Sequence, residues 1–152
     1  MNIKEATKKD YPILKEIGMI CYKETVPNSQ QSWLTKFLFN RYFSKNKFAE
    51  RKKRGTFIYY LENENEIVGF YELENSGGLA SLYVKPNHHK KGYGKALLLH
   101  ALTKAKEIGC QEMFLDSSEF AYQFYKKMGF RNFGEAKVIL GVWMQTMKLK
   151  ID

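Results

Sequence analysis

His89-Lys90-Lys91-Gly92-Tyr93-Gly94-Lys95 stands between an apolar run, Leu79 to Val84, and a strongly periodic segment that opens at Gly92. The order reads as strand, glycine-bearing basic turn and helix start, an arrangement that presents backbone N–H groups to a phosphate. Gly92 and Gly94 put no Cβ between backbone and ligand, and the helix dipole adds partial positive charge at the same point. The same seven residues also fit a plain turn followed by a cap. Two other phosphate loops do not fit: no G-x-x-x-x-G-K-[ST] occurs, and G-x-G-x-x-G fails at Leu97, after Gly92-Tyr93-Gly94-Lys95-Ala96. Nucleotide hydrolase and dinucleotide-binding readings lose their support.

The 152 residues fit a single domain, 1–152. That length suffices to bury roughly two-thirds of the surface an unfolded chain exposes. With 44% hydrophobic and 27% charged residues the composition is that of a globular protein. No run of 18 apolar residues occurs, and Met1-Asn2-Ile3-Lys4-Glu5-Ala6 lacks the apolar centre of a signal peptide, so a cytoplasmic protein without a membrane partner is expected. Cys21 and Cys110 are far apart and have no metal-ligand spacing. Buried, reduced thiols and no bound metal are expected.

A net charge of +9 makes a polyanionic partner worth weighing, either nucleic acid or a phosphorylated small molecule. One basic cluster runs from Lys45 through Lys47, Arg51, Lys52, Lys53 and Arg54 and reads as a solvated face. The other, Lys85 with Lys90, Lys91 and Lys95, flanks the glycine turn, where its charge has somewhere specific to act. No known nucleic-acid reader motif is present, so nucleic acid is not expected as a partner.

Along the chain, Asn2 to Ala6 reads as a short strand. Thr7 with Asp10 reads as a capping box for a helix bearing Ile13, Leu14, Ile17, Ile20 and Cys21 on one face. Thr25 to Gln31 breaks that helix, and a second starts near Ser32 with Trp33, Phe37 and Leu38. Gly55 to Glu62, Ile67 to Leu73 and Gly78 to Val84 read as three successive antiparallel strands. Gly92 to Ile108 forms a helix with Leu98, Ala101, Leu102, Ala105 and Ile108 on one face, which leaves His100 to solvent. A strand at Glu112 to Asp116, a short helix at Ser118 to Met128 and two strands near Arg131 to Gly134 and Val138 to Leu149 complete the chain. The expected fold is α/β with a mixed α+β sheet, in the order β-α-α-β-β-β-α-β-α-β-β, with helices on both faces.

With these residues in place, the chain resembles the GNAT superfamily of acetyl-CoA-dependent N-acetyltransferases. The superfamily hallmark is Arg or Gln, two residues, Gly, one residue, then Gly or Ala, opening the long helix after the fourth strand. Gly92 and Gly94 match it, and His89 stands at the Arg/Gln position. A second hallmark, an aromatic-Tyr pair three residues before Gly-Phe, is matched by Phe124-Tyr125-Lys126-Lys127-Met128-Gly129-Phe130. The motif resemblance covers Leu79 to Phe130, and the element order extends it to the whole chain.

The resemblance implies a GNAT-like fold and an acyltransferase that moves acetyl from acetyl-CoA, its co-substrate, to a primary amine of a small molecule or peptide. It places pantetheine in an opening between the fourth and fifth strands, along Leu82, Tyr83 and Val84, with Ser118 nearby. It sets the pyrophosphate on His89, Lys90, Lys91, Gly92, Tyr93, Gly94 and Lys95, with a fourth-strand amide near Val84 as an oxyanion donor. Tyr125 takes the place of the catalytic general acid that protonates departing coenzyme A. The fourth strand contains no carboxylate for a general base; Glu72, Glu74 and Asp116 are the nearest acids and read as strand-end surface groups. Trp33, Phe37 and Trp143 are candidates for an acceptor wall or for core. A monomer or homodimer fits. The rival reading is an acyl-CoA-binding sensor of the same fold without turnover.

Overall fold

The computed structural model describes residues 1–152. Its elements are β1 (Asn2–Glu5), α1 (Tyr11–Thr25), α2 (Trp33–Tyr42), α3 (Lys45–Lys53), β2 (Phe57–Asn63), β3 (Glu66–Leu73), β4 (Leu79–Val84), α4 (Tyr93–Glu107), β5 (Glu112–Ser118), α5 (Tyr122–Lys127), β6 (Arg131–Asn132), β7 (Lys137–Ile139) and β8 (Val142–Lys150). The mixed α/β architecture expected from the sequence forms, with one more helix and one more strand than the reading above.

The extra helix is α3, built from the basic tract that read as a solvated face. Phe48 is its only fully buried side chain, so it shows no apolar period, yet that ring anchors it in the core. Ser44 caps it by accepting from the Lys47 amide at 3.4 Å, and the cations Arg51, Lys52 and Lys53 sit at the negative end of its dipole. The extra strand arises because Val138 to Leu149 is folded back on itself. Leu140 (φ 51°) and Gly141 (φ 83°) form a two-residue turn that pairs Ile139 with Val142. Helix α1 starts at Tyr11 and not at Thr7: the Asp10 carboxylate accepts from the Thr7 amide (2.7 Å) and hydroxyl (3.0 Å), closing a turn ahead of the helix. A true capping box opens α2, where the Ser32 hydroxyl accepts from the Thr35 amide (3.1 Å) and Thr35 Oγ1 accepts from the Ser32 amide (2.9 Å).

Strands β1, β2, β3 and β4 form one antiparallel sheet in that order, while β8 pairs with β5, β6 and β7 in a second. The two sheets touch through a single parallel bridge, Gly78 to Phe114, with the Phe114 amide donating to the Gly77 carbonyl at 3.2 Å. Beyond it β4 pairs only with β3 and β5 only with β8, so their far ends separate. Helices pack on both faces of the first sheet. On one side α1, the end of α2 and α3 bury Leu14, Ile17, Phe43 and Phe48 against Ile58 and Phe70. On the other, α4 buries Leu97, Leu98, Ala101 and Ala105 against Leu61, Tyr71 and Leu73. Each fully buried leucine contributes about 2 kcal/mol of transfer free energy. His100 is not left to solvent: its Nδ1 lies 2.8 Å from the Tyr71 hydroxyl and its ring packs 4.9 Å from Tyr59. Burial accordingly lowers its pKa.

Candidate functional site

Where β4 and β5 separate, a cleft of about 480 Å³ opens between them. Leu82, Tyr83 and Val84 of β4 line one wall, Ser118, Phe120 and Ala121 the other; the N-terminus of α4 closes one end, and Cys21 and Thr25 reach in from α1.

The strand register decides which backbone groups face the cleft. Val84 pairs with Gly69 and Leu82 with Tyr71, while the Lys85 amide donates to the Val68 carbonyl at 2.8 Å. In an antiparallel ladder that pattern makes Gly69–Val84 and Tyr71–Leu82 the non-hydrogen-bonded pairs, so the N–H and C=O of Leu82 and Val84 point away from β3. They point toward the side from which β5 has withdrawn. The Val84 carbonyl is nevertheless taken, accepting from Cys21 Sγ at 3.2 Å and from His89 Nε2 at 2.7 Å.

At the end of the cleft, Lys90 (φ 61°) and Gly92 (φ 84°) both adopt left-handed backbone and wrap the chain into α4. The first helical bond is that of the Ala96 amide to the Gly92 carbonyl, so the amides of Gly92 to Lys95 have no acceptor within the helix. No side chain caps this terminus and no acid stands in its first turn. A substituent at Gly94 would enter the cleft, where its nearest neighbours are Phe124 Cζ at 3.7 Å and Val84 Cγ2 at 4.0 Å. Lys90, Lys91 and Lys95 are exposed and in no ion pair, whereas Lys85 is bound to Glu66 at 2.8 Å. Three free cations therefore surround a set of unpaired donors.

Two side chains in the wall bear on chemistry. Tyr125 is buried and lines the cleft, and burial pushes its phenol above the usual range, so it holds its proton at neutral pH. Burial also pushes the Cys21 thiol up to about 12. Cys21 is therefore a hydrogen-bond donor to β4 and not a nucleophile. In the folded protein at pH 8 it should alkylate with iodoacetamide roughly a thousandfold more slowly than an ordinary thiol. Half-buried Cys110 serves as the internal comparison by peptide mass mapping. Equal labelling of the two would overturn this assignment.

Of the residues singled out from the sequence, Leu82, Tyr83, Val84, His89, Lys90, Gly92, Gly94, Lys95, Ser118 and Tyr125 line the cleft. Lys91 and Tyr93 do not. Lys91 points to solvent, and the Tyr93 ring packs 5.9 Å from His88 and against the core. Ser118 also accepts from the Ala121 amide at 3.2 Å, shaping the approach to α5. Glu72 is not a surface acid. It is fully buried, with Oε1 bound to Arg51 at 2.8 Å and Oε2 to Ser81 at 2.7 Å. Glu74 and Asp116 are exposed and line a separate groove of about 330 Å³. Trp33 (80% exposed) and Phe37 (56%) are neither core nor cleft wall, and Trp143 stacks edge-on with Tyr122. Sequence reasoning missed Cys21, whose α1 position read as core face, and Phe120 and Ala121 on the opposite wall, while Thr25 opens the Thr25 to Gln31 loop to which the family resemblance assigns specificity; nothing local signals the contact of Cys21 with Val84, 63 residues away.

A family model described as an acetyltransferase (GNAT) domain matches residues 24–151, and the chain belongs to that family. Among solved structures, the PaiA N-acetyltransferase of Thermoplasma acidophilum, in complex with coenzyme A, is 26% identical, with 99% of each chain covered and a TM-score of 0.82. A GCN5-related N-acetyltransferase from Rhodopseudomonas palustris shares the fold at a TM-score of 0.84, with 20% identity, covering 98% of this chain and 94% of that one. Among curated proteins, the glucosamine 6-phosphate N-acetyltransferase of Trypanosoma brucei brucei is 38% identical over 36% of this chain and 37% of its own length. Human N-acetyltransferase 8 is 28% identical over 64% of this chain and 47% of its own length. The chain spans between 37% and 55% of the length of the curated relatives it matches. No helix is long and apolar enough to cross a membrane.

Proposed function

We propose that the protein transfers acetyl from acetyl-CoA to a primary amine of a small molecule or peptide. The observation that carries this reading is one cleft holding two features: unpaired amides with free lysines at the start of α4, and a buried protonated phenol in the wall. The amides and the helix dipole suit the diphosphate. The outward-facing groups of β4 suit a pantetheine arm pairing as a strand would, with the Val84 N–H available to polarise the thioester carbonyl. The coenzyme A in the PaiA structure supports the same donor.

A free amine attacks the carbonyl carbon and the C–N bond forms, the nitrogen gives up its extra proton to solvent, and collapse of the tetrahedral species breaks the C–S bond to leave the amide and coenzyme A. Tyr125 donates a hydrogen bond to the developing thiolate. An ordinary thiol has a pKa of about 8.5, below that of the buried phenol, so the gain lies at the low end for a general acid, about 10²-fold. Tyr125→Phe should lower kcat by about that factor and leave the acetyl-CoA dissociation constant and melting temperature nearly unchanged, since the ring packing on Phe130 is retained. Unchanged kcat under single-turnover conditions would remove the phenol from the chemistry. Glu72 does not serve as base, because its two oxygens are engaged by Arg51 and Ser81 and it does not line the cleft.

The test of the whole reading is incubation with acetyl-CoA and a broad amine panel while free thiol is followed. Turnover with any amine supports it. Since no carboxylate lines the cleft, the rival reading is an acyl-CoA sensor, which tight acetyl-CoA binding without turnover across the panel would select.

A further inference from the structure

We propose that His89 is a positioning residue that ties the phosphate turn to the end of β4 through the Val84 carbonyl. The proposal rests on the reading that acetyl-CoA occupies the cleft. The Val84 carbonyl faces away from β3 and has no strand beyond it, yet Val84 is only 7% exposed. A buried carbonyl left without a donor is costly, and here side chains supply what a neighbouring strand would. Of the two donors, His89 Nε2 is the closer, at 2.7 Å against 3.2 Å for Cys21 Sγ. A carbonyl only accepts, so Nε2 carries the hydrogen.

The position of this bond in the chain gives it its effect. It closes the short Pro86–His88 turn back onto β4 and fixes His89 immediately before Lys90, a non-glycine residue in left-handed backbone at φ 61°. Such a conformation persists only where its surroundings hold it. The His89 ring also packs 5.4 Å from Phe120, on the segment between β5 and α5. One imidazole thus touches both sides of the opening and sets the direction in which the amides of Lys91 to Lys95 point. His89 acts inward on the backbone, while the lysines supply the charge.

Imidazole ¹⁵N spectra of the unliganded protein should place the proton on Nε2. In His89→Ala the amide resonances of Lys90 to Lys95 should shift, and KM for acetyl-CoA should rise about three- to tenfold, the value of one hydrogen bond. The rise should be independent of salt and leave kcat unchanged. His89→Gln, which keeps a side-chain N–H, should recover most of both effects. A bare Nε2 in the wild type, unmoved amides and KM in His89→Ala, or His89→Gln no better than His89→Ala would each overturn the proposal. Should His89→Ala fail to fold, the wild-type tautomer and His89→Gln still decide. Failure of the wild type to bind acetyl-CoA would overturn the functional reading instead, and the unliganded spectra would judge the tether separately.

Discussion

Gly94→Asp should weaken acetyl-CoA binding at least about a hundredfold while leaving the protein folded. Gly94 lies in the first turn of α4 and lines the cleft, and an added Cβ meets nothing closer than 3.7 Å, an ordinary van der Waals contact. An aspartate there also favours the helix, because its charge lies at the positive end of the dipole. What it cannot share is space with a diphosphate. Two like charges 4 Å apart repel by about 4 kcal/mol at an effective dielectric of 20, close to a thousandfold in binding, and Lys90, Lys91 and Lys95 offset part of it. Gly92→Asp is a less direct probe, since Gly92 sits at φ 84° and any side chain there adds backbone strain of about 1–2 kcal/mol. Calorimetric titration of Gly94→Asp, with Gly94→Ala as the uncharged control, decides the matter. Near wild-type affinity in the aspartate variant would show that the phosphate does not sit at this turn.

The largest stability loss is expected from Glu72→Ala. Glu72 is fully buried, accepts from Arg51 Nε at 2.8 Å and Ser81 Oγ at 2.7 Å, and thereby joins α3 to β3 and β4. Arg51 is held further by the Tyr42 carbonyl at 2.8 Å and lies 3.9 Å over the Tyr42 ring. Removing the carboxylate strands a guanidinium in the interior, which costs about 3–5 kcal/mol. Replacing the pair together, as Arg51→Met with Glu72→Leu, should restore much of that loss, because the desolvation of both ions disappears with the pair. Urea unfolding of the single and double variants measures both effects. A loss under about 1 kcal/mol for Glu72→Ala would mean that the pair is not what fastens α3. If the folded variant bound acetyl-CoA normally yet did not turn over, Glu72 would have a chemical role that its hydrogen bonds argue against.

The sequence determined those features whose physical cause is local. The glycine turn that opens α4 is set by a few consecutive residues, so Gly92 and Gly94 were legible from spacing, whereas Tyr125 was singled out by the resemblance that its aromatic-Tyr and Gly-Phe motif carries. The three antiparallel strands were legible for the same reason, since short turns leave successive strands little choice but to pair. Tertiary structure decided everything that depends on partners distant in the chain. Helix α3 has no apolar period and stands because a single ring, Phe48, reaches a core assembled from α1, β2 and β3. Glu72 looks like a strand-end acid until Arg51 and Ser81 arrive, and His100 looks solvated until Tyr59 and Tyr71 cover it. The Val84 carbonyl is the sharpest case. Its direction follows from the register with β3, but the separation of β5 leaves it in need of donors, and only the packing of α1 brings Cys21 to it beside His89. Hydrogen-bond demand is fixed along the chain, residue by residue; which group meets that demand is fixed by what the fold carries into reach.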